Sequence, residues 1–164
     1  MNKIISTLIP LLLFCGNLHA GDGFESVKCG SDIPASLIGK RMSNEPVVTL
    51  ESRHKDIGLK DLGADEINDH MNTIHWSLCG SEYVILELNS LIRDVLLFPS
   101  HSKSSPEING ICERNGQKMK EVVLGVLEDE PGAKTLPAKQ AWKIDEKNAK
   151  FVKIPTDGLR CSRD

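Results

Sequence analysis

Closely spaced cysteines are missing from this chain, and so are most of the signatures that would announce chemistry. Beyond residue 20 the cysteines are Cys29, Cys79, Cys112 and Cys161, each tens of residues from the next. A structural zinc site usually draws on C-x-x-C pairs, so that reading is disfavoured. There is no G-x-S-x-G elbow and no Walker-type glycine loop; Gly39-Lys40 is followed by Arg41 and has no upstream glycine partner. H-E-x-x-H and D-x-D-x-D-G are also absent. Ser100–Lys103 and Ser52–Lys55 each match S-x-x-K, but the companion S-D-N and K-T-G motifs are lacking, so both read as solvated loops. No catalytic residue, metal ligand or cofactor site is therefore assigned.

Positive charge is also in short supply. The chain has 20 basic and 23 acidic residues, and residues 1–20 hold one of the lysines and none of the acids. What remains carries a net charge of −4, which argues against nucleic acid or an anionic membrane as partner. Past residue 20 no apolar run approaches the ~20 residues a membrane span requires. No internal repeat and no alternating β-α-β pattern is present, which disfavours a nucleotide-binding doubly wound sheet.

What is present begins with an export signal. Lys3 gives a positive start, residues 4–14 are mostly apolar, and Ala20 offers a small residue for cleavage before Gly21. Cys15 follows the bulky Phe14, an unfavourable context for lipid attachment. We expect a signal peptide over residues 1–20 and a single disulfide-stabilised domain over 21–164, in the periplasm or outside the cell, with no integral membrane segment. Four cysteines in an exported chain read as two disulfides. Sequence alone leaves three pairings open. We favour Cys29–Cys79 with Cys112–Cys161, which would tie the N-terminal segment to a central strand and pin the C-terminal tail.

Periodicity divides the rest. Residues 21–28 read as a loose leader. Residues 32–40 read as a short helix capped by Asp32, with Pro34 in its first turn. Residues 46–50 read as a strand, 52–60 as a surface loop, and 62–71 as a second helix with Ala64, Ile67 and Met71 on one side. Residues 74–79, 83–88 and 91–98 read as strands broken at Gly80-Ser81 and Asn89-Ser90. Residues 99–106 form a Ser/Pro-rich loop. Asn115-Gly116 marks a hairpin between 108–114 and 118–127. A closing hairpin joins 140–144 to 151–154, with Trp142 and Ile144 turned inward in the first run and Val152 and Ile154 in the second. The fold class is α+β: a mainly antiparallel sheet built from hairpins, with one or two short N-terminal helices packed on it.

With no catalytic constellation, we expect a small exported binding or interaction protein. Its candidate surface combines Lys143, Phe151 and Lys153 on the closing hairpin with His101 and Lys103 on the 99–106 loop, facing a protein or glycan partner. One alternative is a small exported hydrolase working through Glu66, Asp69, His70 or His75. Another is a structural component of the envelope.

Overall fold

The computed structural model describes residues 22–101 and 107–162. The expected signal peptide and Lys103 lie outside them. The first half is a helical cap on a four-stranded meander. Asp32 caps α1 (Ile33–Leu37) by accepting from the Ala35 amide at 3.0 Å, with Pro34 in the first turn. A second helix, α2, covers Val47–Arg53. Then come β1 (Lys60–Asn68), β2 (Met71–Leu78), β3 (Ser81–Leu88) and β4 (Leu91–Leu97), paired in that order and antiparallel throughout.

Two tight turns fix the meander's register. Cys79-Gly80 have φ of 53° and 77°, and Asn89-Ser90 have φ of 52° and 63°. Two successive left-handed residues make the type I′ turn, whose twist matches that of the flanking strands. Leu78 therefore faces Ser81, and Leu88 faces Leu91. Side chains then segregate by face. Ile74, Trp76, Leu78, Tyr83 and Ile85 pack under the cap, against Phe24, Leu37, Leu50 and Ile57. Met71, Val84 and Leu86 point to the opposite side.

The second half supplies the surface they meet. Its seven strands are β5 (Glu107–Gly110), β6 (Cys112–Arg114), β7 (Gln117–Lys118), β8 (Val123–Leu127), β9 (Thr135–Asp145), β10 (Lys150–Ile154) and β11 (Leu159–Ser162). They run in the order β5-β8-β9-β11-β6-β7, and β10 also pairs with β9. Leu124, Val126, Ile144 and Ala149 meet Met71, Val84, Leu86 and Phe98 in a seam between the sheets. The reverse side of β8 and β9 buries Val123, Leu127, Leu136 and Ala141 with Leu159, Cys112 and Cys161. All five residues of β8 are buried, as expected for a strand covered on both faces. The bridges are Cys29–Cys79 and Cys112–Cys161, the favoured pairing. Among the described residues no helix is long and apolar enough to cross a membrane.

Several expectations need correction. Residues 47–50 belong to α2, with Pro46 at its N-cap, and not to a strand. Their β-branched residues favour extension, but Pro46 starts a helix that lays Leu50 on the core. Residues 62–71 are strand and turn, not helix. The Ala64–Ile67–Met71 spacing only imitates a helical face, because β1 is an edge strand that leaves Asp65 and Glu66 exposed. The leader is not loose: Asp22, Gly23 and Phe24 are buried, and Gly23–Ser26 form a 3-10 turn. Residues 55–57 form another, burying Ile57 within the expected surface loop. The Asn115-Gly116 turn joins only the short β6 and β7, while β8 pairs with β5 and β9. The closing hairpin forms, but Phe151 lies opposite Ile144 and Lys153 opposite Trp142. The faces of its second run are thus the reverse of those read from the alternation.

Candidate functional site

The strand register that seals the seam leaves a cleft at one end of it, about 590 Å³ in volume. That lies within the range of small-molecule sites. Its walls come from three places: the β2–β3 turn, the chain following β4, and the middle of β9. The Phe98 amide donates to the Glu82 carbonyl at 2.8 Å, extending the β3–β4 ladder by one residue and setting the Phe98 ring in the wall. The chain then turns at Pro99, and His101 reaches back to the Glu82 carboxylate, Nε2 to Oε2 at 2.8 Å. From the other sheet, β9 contributes Gln140 and Trp142, which alternate onto the same face.

Two largely buried aromatic residues, Phe98 and Trp142, back the cleft. Phe98 lies 6.2 Å from Trp142 and 5.8 Å from His101, measured between ring centroids, the latter pair edge to face. His75 stands behind Phe98 at 6.3 Å. Lys153, brought across from β10 by its register with Trp142, holds its ammonium 5.7 Å from the indole centroid. An acid, an imidazole and an amide thus line the cleft beside Phe98 and Trp142. The His101–Glu82 pair is too exposed to add much stability, since such pairs contribute only about 0–1 kcal/mol. Its effect is to fix where two hydrogen-bonding groups point.

The residues expected from sequence divide unevenly. His101 lines the cleft and Lys153 stands over its tryptophan. Lys143 is on the opposite face of β9, where it pairs with Glu121 at 3.2 Å. Phe151 is half-buried and packs into the seam beside Ile144, and its amide donates to Asp94 at 2.8 Å. The hydrolase candidates do not assemble. Glu66, Asp69 and His70 are exposed on β1 and its turn, whereas His75 is buried on β2. Among the described residues no group of three His, Cys, Asp or Glu side chains is placed to hold a metal. Sequence reasoning missed Glu82 and Gln140, and read Trp142 as interior only.

A second polar cluster lies under the cap. The Asp22 carboxylate accepts from the Phe24 amide at 3.0 Å and from Arg53 at 2.8 Å, and lies 2.9 Å from His54 Nε2. Burial pushes the Asp22 carboxyl up, but the His54 hydrogen bond and charge, with Arg53 and the Phe24 amide, hold it below the usual carboxylate range. Arg53 also pairs with Glu45. This cluster anchors the chain's entry into the fold. Compared with protein-family models, curated proteins and solved structures, the chain finds no match in any of the three.

Proposed function

We propose that this is an exported, disulfide-clamped binding protein whose ligand is a glycan held in the Phe98–Trp142 cleft. The carrying observation is the convergence of Glu82, His101 and Gln140 beside Phe98 and Trp142. A sugar offers an apolar C–H face to a ring and hydroxyls to surrounding donors and acceptors, so it matches both parts of such a site. Export is supported by the N-terminal apolar segment and by two disulfides, which persist in oxidising compartments. The test is a glycan array probed with the oxidised protein, followed by titration of any hit. We expect binding that weakens at least tenfold in Glu82→Gln and in His101→Ala, with unfolding midpoints unchanged. An empty array, or hits indifferent to both substitutions, would overturn the assignment.

A second reading rests on the same pair. An imidazole hydrogen-bonded to a carboxylate inside a cleft is an arrangement used for proton transfer. A hydrolase working this way would turn over chromogenic esters or glycosides and lose that activity in His101→Ala. Binding without turnover decides for the first reading.

A further inference from the structure

Away from the Trp142 cleft, a second opening of about 250 Å³ lies between α2 and the cap-facing side of the first sheet. Leu50 of α2 walls it, and Ile74 and Trp76 of β2 back it. Directly opposed residues of an antiparallel pair share a face, so the β1–β2 register sets Asp61 beside Trp76 and Ala64 beside Ile74. Glu87 also lines the space, but it stands opposite Asn72, further along β2. The third acid, Glu45, is shared with Arg53. No lysine, arginine or histidine is among the lining residues.

The Trp76 indole is the group that asks for an occupant. The residue is 2% exposed, and its Nε1–H has no acceptor among the described residues. A buried donor left unpaired is costly and uncommon. A cation offers only further donors and leaves it unsatisfied. A carboxylate has the acceptor, but Asp61 and Glu87 repel its charge. What remains is a neutral oxygen. Asp61, the cross-strand neighbour of Trp76, narrows the choice: it accepts from the Gly63 amide at 3.3 Å, and no other described donor reaches its carboxylate. A hydroxyl answers both groups at once, since its oxygen accepts from the indole while its proton goes to the carboxylate. The rest of the occupant meets Leu50 and Ile74, so it must be apolar. Its size is limited as well: the opening falls just below the roughly 300–1,000 Å³ of drug-sized sites.

We propose that this opening is a second ligand site, independent of the glycan cleft, which takes a small neutral alcohol: a hydroxyl carried on a short apolar chain. The hydroxyl enters first, accepting from Trp76 Nε1–H and donating to Asp61. The chain follows it and packs on Leu50 and Ile74.

The test uses the oxidised protein labelled with ¹⁵N at tryptophan, which gives two indole signals, assigned with Trp142→Phe. Hexanol, its isomer 1-methoxypentane, hexanoate and hexylammonium are titrated separately. Hexanol should move the Trp76 N–H signal downfield in a saturable manner, as hydrogen-bond formation does, and leave Trp142 in place. The ether, whose oxygen accepts but cannot donate, should bind several-fold more weakly, and hexanoate at least tenfold more weakly. Hexylammonium, which has no acceptor, should produce no downfield movement. Asp61→Ala, a change at a half-buried position on an edge strand, should weaken hexanol to the level of the ether and leave the ether unchanged; an unaltered Trp142 signal shows that the variant is folded. No saturable movement at Trp76, hexanoate binding as tightly as hexanol, the same downfield movement with hexylammonium, or hexanol binding indifferent to Asp61→Ala would each overturn the proposal. A shift confined to Trp142 would also overturn it, and would leave the glycan reading to be judged on the array alone.

Discussion

Asp22 is the residue whose loss should be felt furthest from any ligand. Its carboxylate is almost completely buried and answers three donors from two segments, the Phe24 amide, Arg53 and His54. Asp22→Asn keeps the size but leaves His54 without its carboxylate and Arg53 with Glu45 alone. Arg53 is partly exposed and keeps Glu45, so the main loss is of buried hydrogen bonds to the carboxylate, worth about 1–3 kcal/mol; urea unfolding at neutral pH should show a loss of that order. The pH dependence has a definite sign. The folded-state pKa lies below the unfolded value of about 3.9. Between the two, the unfolded chain binds the extra proton, and folding becomes less favourable as pH falls. The contribution is complete above the unfolded pKa and is lost as pH drops through the folded one. Wild type should therefore lose stability on acidification below about pH 4, and its advantage over Asp22→Asn should shrink there. An advantage that stays constant down to pH 2 would contradict this account. Residue identity was a poor guide to such sites. His101 could be singled out as a loop histidine and Lys153 as a strand lysine. Glu82, 19 residues before His101, could not, because its role depends on Phe98 continuing the β3–β4 ladder. Asp22 looked like leader sequence because nothing local signals a contact with His54, 32 residues later.

At the level of elements, turn chemistry was legible and the state of the polar segments was not. Asn89-Ser90 and Asn115-Gly116 marked hairpins, and both are hairpins, because left-handed backbone is a local property of the residues that tolerate it. Residues 46–50 and 62–71 were read in the wrong state. Each carries a weak pattern compatible with helix and strand, and packing against Trp76 or pairing with β2 settled the outcome. The same reasoning yields two opposed predictions. Ser90 holds φ of 63°, a conformation strained for a residue with a Cβ. Ser90→Gly should relieve that strain, partly offset by greater freedom of the unfolded chain, for a net gain of about 0.5 kcal/mol. A rise of one or two degrees in the calorimetric Tm, about what that gain implies, checks it. Gly125 lies at the centre of β8, where a Cβ would stand 2.6 Å from the Gln140 carbonyl oxygen. Gly125→Ala must push β8 and β9 apart, at a cost of about 2 kcal/mol. Since Gln140 also lines the cleft, glycan binding should weaken with stability, unlike the effect expected for Glu82→Gln.

Across the whole molecule, the two disulfides do not interleave: one closes a separation of 50 residues in the first half, the other 49 in the second. Chain-entropy reasoning assigns each about 4 kcal/mol through restriction of the unfolded chain. Their surroundings differ. Cys112 and Cys161 are buried among Leu136 and Leu159, whereas Cys29 is exposed and Cys79 half-buried. Removing Cys112–Cys161 as a pair of serines also places hydroxyls in an apolar cluster, so it should be the more damaging loss. What joins the halves is the seam of Met71, Val84 and Leu86 against Leu124, Val126 and Ile144. A seam of fully buried side chains makes neither half complete alone, so the oxidised protein should unfold in one transition even though each bridge acts within its own half. Urea unfolding of wild type, Cys29→Ser/Cys79→Ser and Cys112→Ser/Cys161→Ser, followed by Trp76 and Trp142 fluorescence in Trp→Phe backgrounds, reads both properties. Wild type should give coincident curves from the two tryptophans, one on each side of the seam. The second variant should fall below the first in midpoint, with both probes moving together. If the Trp76 curve stayed at its wild-type midpoint while the Trp142 curve collapsed, the sheets would be two independent folding units, and the seam would be a contact surface instead of a shared core.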